Sequence, residues 1–203
     1  MSEITSVEVQ KKDQDRANLY IDDEFYAGIS IELCIKYQLK KGREIDADYL
    51  KEIIFEDEKG RALSKAVKYM SSNLKTEYQI RDYLKKKEYT PEIIDYVIDK
   101  MNEYKYLDDE AYAKAFISTY STKYGKMKLI SALKSKGIKD STIDSVFLEE
   151  VKMEDSLQKV AEKYLKNKEK TKENIAKLSR FLYSRGYEFE KINSYINSLK
   201  NDD

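Results

Sequence analysis

The sequence contains no histidine. The side chain that most often serves as a general base near neutral pH, and as a metal ligand, is therefore missing. Neither a Ser-His-Asp nor a Cys-His constellation can be assembled within the chain. A single cysteine, Cys34, excludes an internal disulfide and any CxxC site. It suits a reducing cytosol, and with Leu33 and Ile35 beside it reads as a buried structural thiol. The six glycines, at 28, 42, 60, 125, 137 and 186, form neither GxGxxG nor GxxxxGK, so a phosphate cradle of either kind is excluded. No apolar run approaches the roughly 20 residues of a membrane helix. The start, Met1-Ser2-Glu3-Ile4, carries neither the basic nor the apolar region of a secretion signal. The expectation is a cytoplasmic protein with no membrane association.

An excess of charge is lacking too: 38 Lys and Arg balance 38 Asp and Glu. At 37% charged and 41% hydrophobic over 203 residues, the composition predicts an elongated body with thin cores. Together these absences favour binding or regulation over catalysis, so no enzyme, no cofactor and no metal are expected. The acidic clusters Asp22-Asp23-Glu24 and Asp108-Asp109-Glu110 read as a hairpin turn and a helix N-terminus, in preference to Mg²⁺ ligands.

What is present begins with period-two alternation. Val7 and Val9, then Leu19 and Ile21, then Phe25, Ala27 and Ile29 mark three strands of an antiparallel meander. After Ser30, an N-cap residue, Leu33, Cys34 and Tyr37 fall at helical spacing, with Gly42 as the stop. A second short helix is predicted over 46–58, with Leu50, Ile53 and Ile54 on one side.

From Ala62 onward the pattern is helical and repeats. Ile80, Leu129 and Leu178 stand 49 residues apart, and so do Leu84, Leu133 and Leu182. The same offset aligns Tyr89, Ile138 and Tyr187; Ile94, Ile143 and Ile192; and Ile98, Phe147 and Ile196. Upstream it aligns Ala62, Ala111 and Val160, and Val67, Phe116 and Leu165. Each unit divides into three helical patches, about 62–73, 76–88 and 91–104 in the first. Thr90 caps a helix begun by Pro91, Asp109 and Thr171 cap others, Gly125 opens a middle helix, and Gly137 and Gly186 close two. The predicted fold is mainly α: three tandem three-helix repeats in an elongated curved array, preceded by a small N-terminal β-meander with helices. The expected domains are 1–61, 62–108, 109–154 and 155–203.

Charge is unevenly spread. Residues 1–61 hold 10 basic and 15 acidic side chains, and residues 155–203 hold 11 and 8. Between Ala111 and Lys139 there is no Asp or Glu, while seven lysines alternate with Tyr112, Tyr120 and Tyr124. The third unit echoes this with Lys163, Lys166, Lys168, Lys170, Lys172, Lys177, Arg180 and Arg185 against Glu169 and Glu173. A basic face on each middle helix suits a phosphate backbone or an acidic protein groove. Candidate contact residues are Arg81, Lys85, Lys86 and Lys87; Lys123, Lys126, Lys128, Lys134, Lys136 and Lys139; and Lys170, Lys172, Arg180 and Arg185. For any single lysine, solvated surface is the ordinary alternative. For the tyrosines, it is core packing.

The run Arg16-Ala17-Asn18-Leu19-Tyr20-Ile21-Asp22-Asp23-Glu24-Phe25 resembles the N-terminal hairpin of the RecX family, bacterial regulators of the RecA recombinase. Tyr106-Leu107-Asp108-Asp109-Glu110-Ala111-Tyr112-Ala113 resembles that family's motif between the first two repeats. Gly125, Ile130, Leu133, Lys136, Gly137 and Ile138 resemble its glycine followed by Leu-x-x-Lys-Gly-Ile. The resemblance covers nearly the whole chain. It implies a monomeric, non-enzymatic modulator that lies in the groove of the RecA–single-stranded-DNA filament. Such a modulator inhibits ATP hydrolysis, strand exchange and coprotease activity. Many members are basic and this chain is neutral, which gives contact with RecA more weight than DNA binding on its own. The alternative from another class is a stand-alone helical-repeat nucleic-acid-binding protein.

Overall fold

The structure, a computed structural model, describes residues 2–148 and 156–201. Strands β1 (Ser2–Val9), β2 (Arg16–Ile21) and β3 (Glu24–Ser30) are followed by α1 (Ile31–Lys36), β4 (Glu44–Ile45) and α2 (Ala47–Met70). Then come α3 (Glu77–Lys85), α4 (Pro91–Glu103), α5 (Asp109–Tyr120), α6 (Lys126–Ser135), α7 (Asp140–Leu148), α8 (Leu157–Leu165), α9 (Lys172–Ser184) and α10 (Phe189–Asn201). The fold is mainly helical, with three tandem three-helix domains after a small antiparallel sheet. The chain forms two compact units. One holds the residues up to Ser72 together with Tyr83–Tyr104, and the other Asn73–Asp82 together with the residues from Lys105 onward. The dividing line falls within α3.

In the first unit the sheet order is β3-β2-β1-β4, all antiparallel. Asp22 and Asp23, with φ of 49° and 69°, make the two-residue hairpin turn between β2 and β3. The alternation read from Phe25 does not hold through β3. A bulge between Leu19 and Tyr20 shifts the register, so Ile29 is buried while Phe25 is 60% exposed and its ring meets Tyr20 edge-on. β4 gave no sequence signal, because two residues cannot show alternation. It is held by backbone bonds between Ile4 and residues Gly42 and Arg43. Gly42 therefore serves the turn into β4. The helix before it has already ended at Lys36, with Gln38 in the left-handed region.

The helices expected at 46–58 and 62–73 are one helix of 24 residues, so the expected boundary at 61/62 lies inside α2. The Asp46 carboxylate caps it, accepting from the N–H groups of Asp48 and Tyr49. Its two halves face different partners. Leu50 and Ile53 join Ile4, Ala17, Leu19, Ile29 and Leu33 beneath the sheet, while Ala62 and Ala66 lie buried along the stretch that packs with α4. Continuity through Gly60 costs about 1 kcal/mol. The two packed faces offset it. α4 buries Ile93, Ile94, Val97, Ile98 and Met101, and Thr90 caps it ahead of Pro91 as expected. Asp57, unremarkable in Glu56-Asp57-Glu58, is buried and ion-paired with Arg16 at 2.8 Å, and it accepts from the Ser30 N–H. The same arginine donates to the Gly28 carbonyl, which ties β2, β3 and α2 together.

In the second unit, Ala113, Ile117, Leu129, Leu133, Ile138, Ile143 and Val146 form the core of α5–α7. Leu157, Ala161, Leu178, Leu182, Tyr187, Ile192 and Ile196 form that of α8–α10. The middle-helix and third-helix columns of the 49-residue repeat are thus core positions. The upstream columns are not: Ala111 is exposed and Val67 is 40% exposed. The buried alanines of the first helices, Ala62, Ala113 and Ala161, follow unequal spacings. The connections from Met70 to Glu77, Tyr120 to Lys126 and Leu165 to Lys172 are surface loops whose lengths are free to differ. Asp108, not Asp109, caps α5. The expected boundary at 154/155 lies outside the described residues.

Candidate anion-binding surface

Within the second unit α3 begins against the end of α6, and α6 against the end of α9. Just ahead of α3, the Thr76 hydroxyl donates to the Lys136 carbonyl at 2.7 Å, and the Glu77 N–H donates to Asp109 at 3.2 Å. Forty-nine residues on from Thr76 and Lys136, the Gly125 N–H donates to the Arg185 carbonyl at 3.0 Å, and beside that bond the Met127 N–H donates to the Gly186 carbonyl at 3.2 Å. Gly137 and Gly186 close α6 and α9 at φ of 80° and 83°, where side chains are strained. A Cβ at Gly137 would stand 2.3 Å from Tyr78 Cβ, and one at Gly186 would stand 2.4 Å from the Lys128 backbone nitrogen. Ser156 completes the contact between the second and third repeats. Its hydroxyl donates to the Ser121 carbonyl at 2.7 Å and lies 2.6 Å from the Tyr187 hydroxyl. Asp109, which missed the cap role, is half-buried here, and that burial pushes its carboxyl above the usual range.

The expected basic residues are not one surface. On α3, Arg81 belongs to the second unit and pairs with Glu77 at 2.7 Å, whereas Lys85, Lys86 and Lys87 belong to the first. Lys87 sits over the Tyr83 ring. In the second repeat, Lys126 covers the Phe147 ring and Lys136 the Phe116 ring. Lys128 donates to the Ser184 carbonyl at 3.1 Å, and Lys134 pairs with Asp140 at 2.9 Å. Lys139 lies in the electrostatic field of Asp109. In the third repeat, Arg180 turns back to the Ala176 carbonyl, Lys172 opens α9, and Lys170 lines a recess on the side of α8 that carries Gln158 and Glu162. Several expected contacts are thus engaged in holding helices and rings in place.

Lys123 and Arg185 do converge. They line a groove of about 780 Å³ with Thr122, Lys159, Val160, Lys163, Tyr164, Lys166, Lys168 and Phe181. Among the described residues, no acidic side chain lines it. Lys159, Lys163 and Lys166 share one face of α8 at i, i+4 and i+7. Asn167, at φ 65°, turns the chain so that Lys168 returns over the Tyr164 ring with Nζ 3.5 Å from its centroid. Tyr164 stacks on Phe181 at 4.6 Å, and the Arg185 guanidinium lies 5.0 Å from Phe181 and 5.3 Å from Tyr124. A long charged side chain laid on a ring keeps its cation while losing freedom to wander. Lys159, Lys163, Lys166 and Lys168 were not among the candidates. The signal for the first three is their i, i+4 and i+7 spacing along α8. A second groove, of about 810 Å³, is lined by Met127, Tyr183 and Phe189, which are 58%, 68% and 63% exposed, beside Lys128, Glu188 and Glu190. Among the described residues, no helix is long and apolar enough to cross a membrane.

Comparison with known proteins accounts for the whole succession. The regulatory protein RecX N-terminal domain matches residues 2–46, and the first, second and third RecX three-helix domains match residues 62–101, 108–146 and 153–196. The chain belongs to the RecX family. The regulatory protein RecX of Clostridium tetani is 38% identical over 98% of this chain and 95% of its own length. That of Bacillus subtilis is 33% identical over 97% of this chain and 77% of its own length. A crystal structure of regulatory protein RecX superposes with a TM-score of 0.69 at 24% identity, covering 98% of this chain and 100% of that one, and supports the fold. RecX from Lactobacillus salivarius gives 0.61 at 20% identity over 71% of this chain and 97% of its own. The family of regulatory proteins identified from the hairpin, the Asp108–Asp109 motif and the glycine-marked repeat is the family to which the chain belongs.

Proposed function

We propose that this chain modulates RecA without catalysing a reaction, by lying in the groove of the RecA–single-stranded-DNA filament and holding back ATP hydrolysis, strand exchange and coprotease activity. The observation that carries this reading is the family membership, which extends through the sheet and all three helical domains. The second unit supports it, because its junctions leave lysines and arginines at the surface while their backbones are locked. Occupancy suffices as a mechanism. A protein that binds one filament state better than another shifts the population toward it, and many weak contacts along a repeat act together.

The test is RecA's DNA-dependent ATPase with this protein added below stoichiometric ratio. A fall in rate is the expected result, and an unchanged rate at saturation would reject the reading. Lys123→Glu with Lys126→Glu, a pair whose removal breaks no ion pair between described residues, should raise the concentration for half-inhibition by about tenfold, equivalent to ~1.4 kcal/mol. Circular dichroism should stay unchanged. Tight binding to bare oligonucleotides with no effect on RecA would favour the stand-alone nucleic-acid-binding reading.

A further inference from the structure

We propose that the repeat series is closed at both ends against a second copy of the chain, by Glu88 after α3 and by an added first turn on α9. The proposal stands apart from the regulator reading.

The three middle helices end in one way. The N–H groups of Lys87, Lys136 and Arg185 donate at 3.0 Å to the carbonyls of Leu84, Leu133 and Leu182. Those of Glu88, Gly137 and Gly186 donate at 2.9 Å to Lys85, Lys134 and Tyr183. Tyr89, Ile138 and Tyr187 then donate back to the same three leucine carbonyls, at 3.3, 3.2 and 3.3 Å. The φ values at the left-handed position are 64°, 80° and 83°. The turn itself does not require glycine, since Glu88 makes it, and Lys105 and Asn167 also adopt left-handed φ. What requires glycine is the neighbour. A Cβ at 137 or 186 would stand 2.3 or 2.4 Å from the start of the preceding middle helix. Glycine in this turn therefore marks a filled seat. Glutamate at the same place puts a Cβ where a helix start would have to enter. Residues 85–88 are accordingly exposed, whereas Lys136 and Arg185 are half-buried.

The other end is closed differently. Thr76 and Gly125, which reach the following repeat, are buried just ahead of α3 and α6. Their counterpart 49 residues on is Asn174, and there the helix has already begun. α9 starts at Lys172, three residues earlier in the repeat than α3 or α6. The donors at this position are used within the repeat. The Asn174 N–H goes to the Thr171 hydroxyl at 3.3 Å, and its side-chain amide to the Glu169 carbonyl at 2.8 Å. A Cβ at Gly125 would stand 2.3 Å from the Gly186 carbonyl oxygen, so Asn174 also blocks that mode of seating. Repeats bury their faces against neighbours, and a series left open accepts another copy head to tail. Such a contact does not close on itself, so it propagates. The two closures hold the chain as a separate unit.

The experiment is light scattering of the full chain over a range of concentration. Wild type is expected to keep the mass of one chain, and a mass that climbs with concentration would overturn the proposal. Glu88→Gly/Thr171→Ala/Asn174→Gly removes both obstructions and the cap of the added turn. Its average mass should rise to about twice that of one chain as concentration approaches the millimolar range. No rise in a variant that keeps its helical circular dichroism would overturn the proposal. Should that signal be lost, Glu88→Gly/Asn174→Gly takes its place. Glu88→Gly alone opens one end and should stay monomeric, and association of this variant would count against the closure at α9. Urea unfolding tests the seat itself. Glu88→Ala should leave the midpoint unchanged where Gly137→Ala lowers it, and equal losses would show that the turn, not the neighbour, requires glycine.

Discussion

The two junctions of the second unit use one backbone arrangement and two chemistries. In both, the start of a middle helix is hydrogen-bonded to the carbonyl of the residue directly after the last helical one, Lys136 at one junction and Arg185 at the other, and each is followed by a left-handed glycine. Around that shared frame the side chains diverge. At the first junction Lys134 is paired with Asp140, and Lys136 lies on Phe116. The equivalent positions at the second are Tyr183 and Phe189, both exposed, and Arg185, which is laid between two rings. The repeat conserves what packing requires of the backbone. It leaves the rim to carry charge in one place and apolar surface in another, and the second junction alone borders the cationic groove.

The largest effect should come from the shared glycines. Gly186→Ala should cost about 3 kcal/mol, because it adds left-handed strain to a clash with the backbone of Lys128. Gly137→Ala should cost about 2 kcal/mol, since the Tyr78 side chain is better able to shift. Urea midpoints would rank them, and equal tolerance of both would break the equivalence of the junctions. Next comes Thr76→Val. Thr76 is fully buried, it exchanges capping bonds with Gln79, and it donates to Lys136. The loss should be about 1.5 kcal/mol, seen as a lower urea midpoint with an unchanged slope.

Asp109 sharpens the comparison through pH. Its folded-state carboxyl is raised, chiefly by burial. Between the ordinary carboxylate range and that raised value, the folded protein keeps a proton that the unfolded chain has released. Its contribution to stability is therefore full at lower pH and lost as pH rises through the window. Asp109→Asn should flatten the pH dependence of the urea midpoint there, and an unchanged profile would discount the burial. The smallest effect is expected for Lys134→Ala. Its pair with Asp140 is half-exposed or more on both sides, so stability should move by no more than about 0.5 kcal/mol, with a difference that fades in high salt.

Much of this was legible in advance. The core columns from Ile80 through Ile196, the caps at Ser30, Thr90 and Thr171, and the αL closures at Gly137 and Gly186 are local signals with local causes. Where the structure differs from the sequence pattern, the cause is non-local. Residues 46–73 read as two helices because Leu50 and Ala62 face different partners, and one sequence face cannot show that. Asp109 reads as a cap because the bond it accepts from the Glu77 N–H on the earlier helix α3 is invisible along the chain. The candidate cations were chosen by middle helix, and only part of that choice converges.

The sequence by itself determined the helical succession, its 49-residue period, the hairpin turn and the family, because periodicity, turn residues and motifs are properties of neighbours along a chain. Only the tertiary structure decided which lysines are bound to carboxylates or rings, and which gather around a groove that, among the described residues, no acidic side chain lines. Charge convergence depends on which helices abut, and in this chain Lys123 meets Lys163 and Arg185 only because Gly125 seats against the end of α9.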